Sequence, residues 1–203
     1  MTPTVHAFFD EATNTLTYLV REPEGRACAI IDSVLDFDYA SGRTDTRSAD
    51  AVIAFVKEQD LDLKWVLETH VHADHLSAAP YIQERLGGKI GIGDRITVVQ
   101  DTFGKIFNEG TRFARDGSQF DQLFKEGDAV MIGQMRADIM HTPGHTPACL
   151  TYVMGDAAFV GDTLFMPDFG TARCDFPGGS AEQMFDSVQR ILSLPEATRI
   201  YVG

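Results

Sequence analysis

The chain has 203 residues, 44% of them hydrophobic, and a formal net charge of −13. That length supports one sizeable core, so a single domain over residues 1–203 is expected. The negative balance speaks against nucleic acid or an anionic membrane surface as a partner. No run approaches the ~20 apolar residues of a membrane span. Met1-Thr-Pro-Thr-Val lacks the basic start and apolar stretch of a signal peptide. The three cysteines, Cys28, Cys149 and Cys174, are scattered, which suits a reducing cytoplasm and no disulfide framework.

Val5 to Phe9, Leu16 to Arg21 and Ala27 to Asp32 read as short strands, rich in Val, Ile, Phe and Tyr and separated by turn residues. Strands this close favour antiparallel pairing. Asp36 to Arg47 reads as a polar loop. Ser48 is a candidate N-cap for a helix to about Gln59, with Val52, Phe55 and Val56 on one face. A strand over Lys64 to Thr69 and a helix over Ser77 to Leu86 follow, the helix stopped by Gly87-Gly88. Lys89 to Ile92 is another strand, Ile96 to Phe107 a helix, and Thr111 to Gln119 a surface loop. Strands resume at Ala129 to Ile132, Met135 to Met140, Leu150 to Met154 and Ala157 to Gly161. Asp162 to Gly179 is a long loop, of the kind that carries function in a compact domain. Ser180-Ala-Glu-Gln183 fits a capping box opening a helix to about Leu192, and Arg199 to Val202 is a last strand. This order is neither a strict βαβ alternation nor all-β. Two mixed sheets flanked by helices bury every apolar face.

One stretch dominates the chemistry. Thr69-His-Val-His-Ala-Asp-His75 places His70, His72, Asp74 and His75 between a strand and a helix. Spacing of i, i+2, i+4 and i+5 lets these side chains converge in a tight turn, and a cation would offset the cost of gathering them. His141-Thr-Pro-Gly-His145 follows another strand. Pro143-Gly144 forces a turn from which His145 projects; His141, at the strand end, is the other candidate ligand and is read instead as structural or as a support to the ligands. Val160-Gly-Asp162 ends a further strand in a carboxylate. Cys28 and Cys149 lie in apolar runs. Cys174, between Arg173 and Asp175, is either a reactive thiol or an ordinary loop residue.

Together, Thr-His70-Val-His72-Ala-Asp74-His75, Thr-Pro-Gly-His145-Thr and Gly-Asp162-Thr resemble the motifs of the metallo-β-lactamase superfamily, along essentially the whole chain. The resemblance implies an α/β fold, the αβ/βα four-layer sandwich of two mixed sheets flanked by helices, with metal between the sheet edges. Within the superfamily the chain is similar to two glutathione-linked branches, the persulfide (sulfur) dioxygenases and glyoxalase II. Arg173-Cys-Asp175-Phe, shortly after Asp162, is similar to the dioxygenase branch and to its bacterial β-lactamase-hydrolase-like members, as is the long Gly93 to Gly127 segment.

That branch implies Fe(II) on His70, His145 and Asp162, with His72, Asp74 and His75 around it. Two imidazoles and one carboxylate leave three positions open on iron. The substrate implied is glutathione persulfide, and a homodimer is among the expected assemblies. Arg173 and Asp175 are the implied catalytic pair: Arg173 acts through Asp175, or on a substrate carboxylate, or makes only a loop salt bridge. The hydrolase branch implies zinc on His70, His72 and His145, with Asp162 bridging to a second ion on Asp74 and His75. It also implies a further histidine just after the last strand. The sequence stops at Gly203, so the domain is expected to lack its C-terminal end.

Overall fold

A computed structural model describes residues 1–203. The strands, in chain order, are β1 (Thr4–Asp10), β2 (Thr15–Arg21), β3 (Ala27–Ile31), β4 (Val34–Asp38) and β5 (Arg43–Asp45). Helix α1 (Arg47–Glu58) leads to β6 (Asp62–Leu67), β7 (Leu76–Ser77), α2 (Ala79–Leu86) and β8 (Lys89–Gly93). Helix α3 (Ile96–Ile106) precedes β9 (Gln122–Phe124), β10 (Ala129–Ile132), β11 (Met135–His141), β12 (Leu150–Met154) and β13 (Ala157–Gly161). Helix α4 (Ala181–Leu192) and β14 (Arg199–Val202) complete the chain.

Six strands form one sheet in the order β1-β2-β3-β6-β8-β9, and five form the other in the order β10-β11-β12-β13-β14. Both are mixed. β1, β2 and β3 pair antiparallel, whereas β3-β6, β6-β8 and β8-β9 pair parallel. Each parallel pair is bridged by a helix, as a crossover demands. In the second sheet only β13-β14 is parallel, and α4 spans it.

Strand alternation builds the layers. Ala27, Ala29 and Ile31 of β3 face the core between the sheets, with Phe159, Tyr152 and Ile139 opposite. Cys28 and Ile30 face outward onto Val52, Ile53 and Val56 of α1 and Ile82 of α2. Ala158 and Val160 of β13 meet Ile191 of α4 in the same way. The result is helix, sheet, sheet, helix, the four-layer sandwich expected.

The Asp36 to Arg47 stretch departs from the expectation. It is a hairpin, β4 with β5, and β7 joins it in a small third sheet. Asp38 closes the turn by accepting from the Ala40 amide and the Ser41 hydroxyl, so polar side chains replace an apolar signal. Helix α1 starts before Ser48, with Thr46 at the cap position. The Ser48 amide instead donates to Asp36, twelve residues upstream. Ser77 belongs to β7, and α2 opens at Ala79. At α4 the capping residue is as read: the Gln183 amide donates to the Ser180 hydroxyl at 3.3 Å.

Candidate metal centre

The site forms at the carboxyl ends of parallel strands, where α/β sheets leave a crevice. Asp32 follows β3, the 68–75 loop follows β6, and Asp162 follows β13; His145 comes from the turn between β11 and β12. Two glycines let these loops approach. At Gly161 (φ +51°) a Cβ would lie 2.3 Å from the Thr69 hydroxyl, so only glycine allows the end of β13 to reach the histidine loop. At Gly144 (φ +152°) a Cβ would lie 2.5 Å from Cα of Met184, which seats the His145 turn on α4. Ser187 of α4 donates to the Pro143 carbonyl at 2.7 Å and locks that seat.

His70, His145 and Asp162 offer donor atoms that all lie within 4.8 Å of one another. The His70 and His145 Nε2 atoms are 3.6 and 3.8 Å from the same Asp162 oxygen. These separations exceed a good hydrogen bond and leave space among the three. His72, Asp74 and His75 form a second such group.

The outer nitrogens of the rings are spoken for. The Thr69 hydroxyl donates to Asp32 at 2.7 Å, so its oxygen accepts from His70 Nδ1 at 3.0 Å. His145 Nδ1 donates to the Arg173 carbonyl at 2.9 Å, and His75 Nδ1 to the Leu76 carbonyl at 3.0 Å. Each of these rings therefore turns a bare Nε2 inward. The Nε2 atoms of His70 and His75 are buried with no hydrogen-bond partner. Orphaned lone pairs of this kind fit a cation and little else. His72 is held the other way round: its Nε2 faces Glu68 at 3.0 Å and Asp32 at 3.2 Å, as a donor to two carboxylates. Asp74 accepts from the Thr15 hydroxyl at 2.8 Å.

The electrostatics follow from burial. His70 is driven well below its ordinary value by burial, and by His72, His145 and His75 beside it. Burial also lowers His75. Burial pulls His72 down too, but the Asp32 and Glu68 carboxylates outweigh it and raise the ring well above the usual range. Burial pushes Asp162 up to about 6, against the opposing pull of His145 and His72. Asp32, Glu68 and Asp162 have only histidines as ion-pair partners, with no lysine or arginine among them. A divalent cation is the missing charge.

His141 stands apart, its Nε2 on the Pro147 carbonyl at 2.8 Å. The Arg173 and Asp175 side chains are 73% and 74% exposed and pair with each other at 3.4 Å. What Arg173 brings to the histidines is its backbone oxygen. Asp32 and Glu68 have positions in the site that motif spacing does not reveal. Their only sequence signal is an acid at the end of an apolar strand.

The metallo-beta-lactamase superfamily model matches residues 11–203. The chain belongs to that superfamily. Metallo-beta-lactamase relatives include a probable metallo-hydrolase of Burkholderia pseudomallei, 57% identical over 98% of this chain and 71% of its own length. A beta-lactamase hydrolase-like protein of Xylella fastidiosa is 51% identical over 100% of this chain, which spans only 47% of that relative. The mitochondrial persulfide dioxygenase ETHE1 of Bos taurus is 32% identical over 95% of this chain and 65% of its own length. Among solved structures, ETHE1 from Myxococcus xanthus superimposes with a TM-score of 0.77 at 31% identity, covering 98% of this chain and 75% of that one. The donor groups in this metallo-beta-lactamase fold support a metal cofactor and an enzyme acting on a small molecule. No helix is long and apolar enough to cross a membrane.

Proposed function

We propose that the protein is a mononuclear non-haem iron dioxygenase that converts glutathione persulfide to sulfite and glutathione, with Fe(II) on His70, His145 and Asp162. The observation that carries this reading is the convergent set of two imidazoles and one carboxylate, with the His70 Nε2 buried and unpartnered. Such a set leaves one face of an iron ion open, where Fe(II) would supply positions for sulfur and O₂ together. The likeness to a persulfide dioxygenase supports the same choice. The reaction balances as RSSH + O₂ + H₂O → RSH + H₂SO₃: the S–S bond breaks, three S–O bonds form, and the outer sulfur loses the four electrons that O₂ gains.

The protein's part is to position. Asp32, through the Thr69 hydroxyl, fixes the tautomer of His70, and the Arg173 carbonyl fixes that of His145. Phe176 lies with its ring 5.7 Å from that of His145 and gives that side an apolar wall. The exposed Arg173 guanidinium, paired with Asp175 at 3.4 Å, would exchange that partner for a substrate carboxylate. His72, Asp74 and His75 would orient the metal ligands and anchor water rather than bind the iron.

The test is anaerobic purification, metal analysis and O₂ uptake with glutathione persulfide. Bound iron, with sulfite formed mole for mole with O₂ consumed, is the expected result. Zinc with thioester cleavage and no O₂ uptake overturns it in favour of a second reading, a zinc-dependent glutathione thioester hydrolase. That reading draws on the second donor group of His72, Asp74 and His75 and on the likeness to a probable metallo-hydrolase.

A further inference from the structure

A cavity of about 230 Å³ uses the histidine loop as one wall, with His70, His72 and His75 among its lining residues. The other walls are Val71 and Leu76 from the loop, Ile92 and Ile96 around the start of α3, and Phe120 before β9. Glu68 and Ser77 also line it, but they are occupied with their neighbours. The Ser77 hydroxyl donates to one Glu68 oxygen at 2.5 Å, and His72 takes the other at 3.0 Å. No lysine or arginine lines the cavity. It offers no lysine or arginine to the carboxylates of a glutathionyl group and a mostly apolar surface to an apolar one. An apolar cavity of ~150 Å³ stays dry and takes up benzene, so this one has room for an aryl or short branched alkyl group. It is smaller than the ~300 Å³ at which pockets for whole drug-sized ligands begin, so it fits one substituent of a substrate.

We propose that this cavity is a subsite for an apolar substituent, and that aryl and short alkyl persulfides are substrates of the enzyme alongside glutathione persulfide. The proposal rests on the persulfide reading for its chemistry, which is the same balanced oxidation with a different R group. It rests on the cavity alone for its selectivity.

Two measurements on metal-loaded protein separate the two. In the first, fluorobenzene binding to the zinc-loaded protein is followed by ¹⁹F relaxation, in the wild type, in Ile96→Trp, which fills the cavity from α3, and in Phe120→Trp, which narrows it from a half-buried position. Binding to the wild type that both variants lose is expected; no binding to the wild type overturns the subsite. In the second, kcat/KM is compared for benzyl persulfide and glutathione persulfide on the iron-loaded protein. The ratio of benzyl to glutathionyl turnover is expected to fall at least tenfold in either variant. Turnover of glutathione persulfide with none of benzyl persulfide overturns the substrate class. Fluorobenzene binding with turnover of neither persulfide overturns the dioxygenase reading on which the substrate class depends.

Discussion

Asp32→Asn is the most informative single substitution in the site. The Asp32 carboxylate accepts from the Thr69 amide at 2.7 Å, from the Thr69 hydroxyl at 2.7 Å and from His72 Nε2 at 3.2 Å. Its backbone is left-handed, at φ +51°, a conformation that asparagine also tolerates and alanine does not. The replacement therefore keeps shape and backbone but turns one acceptor oxygen into a donor. If the new amide nitrogen faces Thr69 Oγ, the hydroxyl must turn its proton toward His70 and forces that ring into the other tautomer, with a proton on Nε2. If it faces His72 instead, it also faces the Thr69 amide, which donates to the same oxygen and cannot shed its proton, so that buried amide is left without an acceptor while His72 keeps Glu68. The first arrangement puts His70 in the wrong form, and the second leaves a buried donor unpaired at the base of the loop. Loss of an outer partner of this kind costs ~10–100-fold in metal affinity, and a buried donor left unpaired costs ~1–3 kcal/mol of stability. Competition with a chromophoric chelator measures the first and urea denaturation the second. Thr69→Val, which breaks only the His70 branch, should lose affinity to a similar extent. Affinity within twofold of wild type in Asp32→Asn would refute the tautomer argument.

Other outcomes follow from the same geometry. His145→Ala should abolish metal loading measured by elemental analysis, while His141→Ala, whose ring bonds the Pro147 carbonyl, should load as wild type. Gly144→Ala puts a Cβ 2.5 Å from the Met184 backbone at φ +152°; a cost of about 2 kcal/mol or more in urea, with weakened metal binding, is expected. Burial pushes the thiols of Cys28 and Cys149 up to about 12, and thiolate is the reactive form. Iodoacetamide at pH 8 should therefore label native protein at Cys174 alone. Labelling there should be slow, since burial and the neighbouring Asp175 raise that thiol as well; peptide mass spectrometry reads the sites.

The sequence made the centre legible where chemistry is dense and the chain is short. His70, His72, Asp74 and His75 sit within one turn, and Pro143-Gly144 and Gly161 mark the bends that carry His145 and Asp162 toward them. What it hid are contacts between residues far apart in the chain. Asp32 and Glu68 are single acids at strand ends, with no spacing to betray them; only the parallel register of β3 and β6 puts Asp32 beside Thr69. The β4-β5 hairpin was illegible because Asp36 to Arg47 is polar and its turn is closed by Asp38 rather than by an apolar pattern. The start of α1 is hidden for a similar reason, since Asp36 reaches in from outside the helix to accept from an amide of its first turn, where the local sequence offers Ser48 as the cap. In sequence Arg173 stands out for its guanidinium, whereas its carbonyl is the group in contact with His145.

These features share one physical meaning. Two buried carboxylates and a half-buried third without a lysine or arginine, two buried imidazole nitrogens without a partner, and an aspartate in a left-handed conformation all lie around one space. Each is destabilising, the backbone strain alone by ~1–3 kcal/mol. An architectural role would not need them, because apolar side chains of similar volume in place of a buried ionic cluster are often neutral or stabilising. The core between the two sheets, with Ile31, Leu67, Tyr152 and Phe159 at 1% exposure or less, offsets the cost. Local rules broken together at one point, inside a fold that obeys them elsewhere, are what a site built to hold a cation requires.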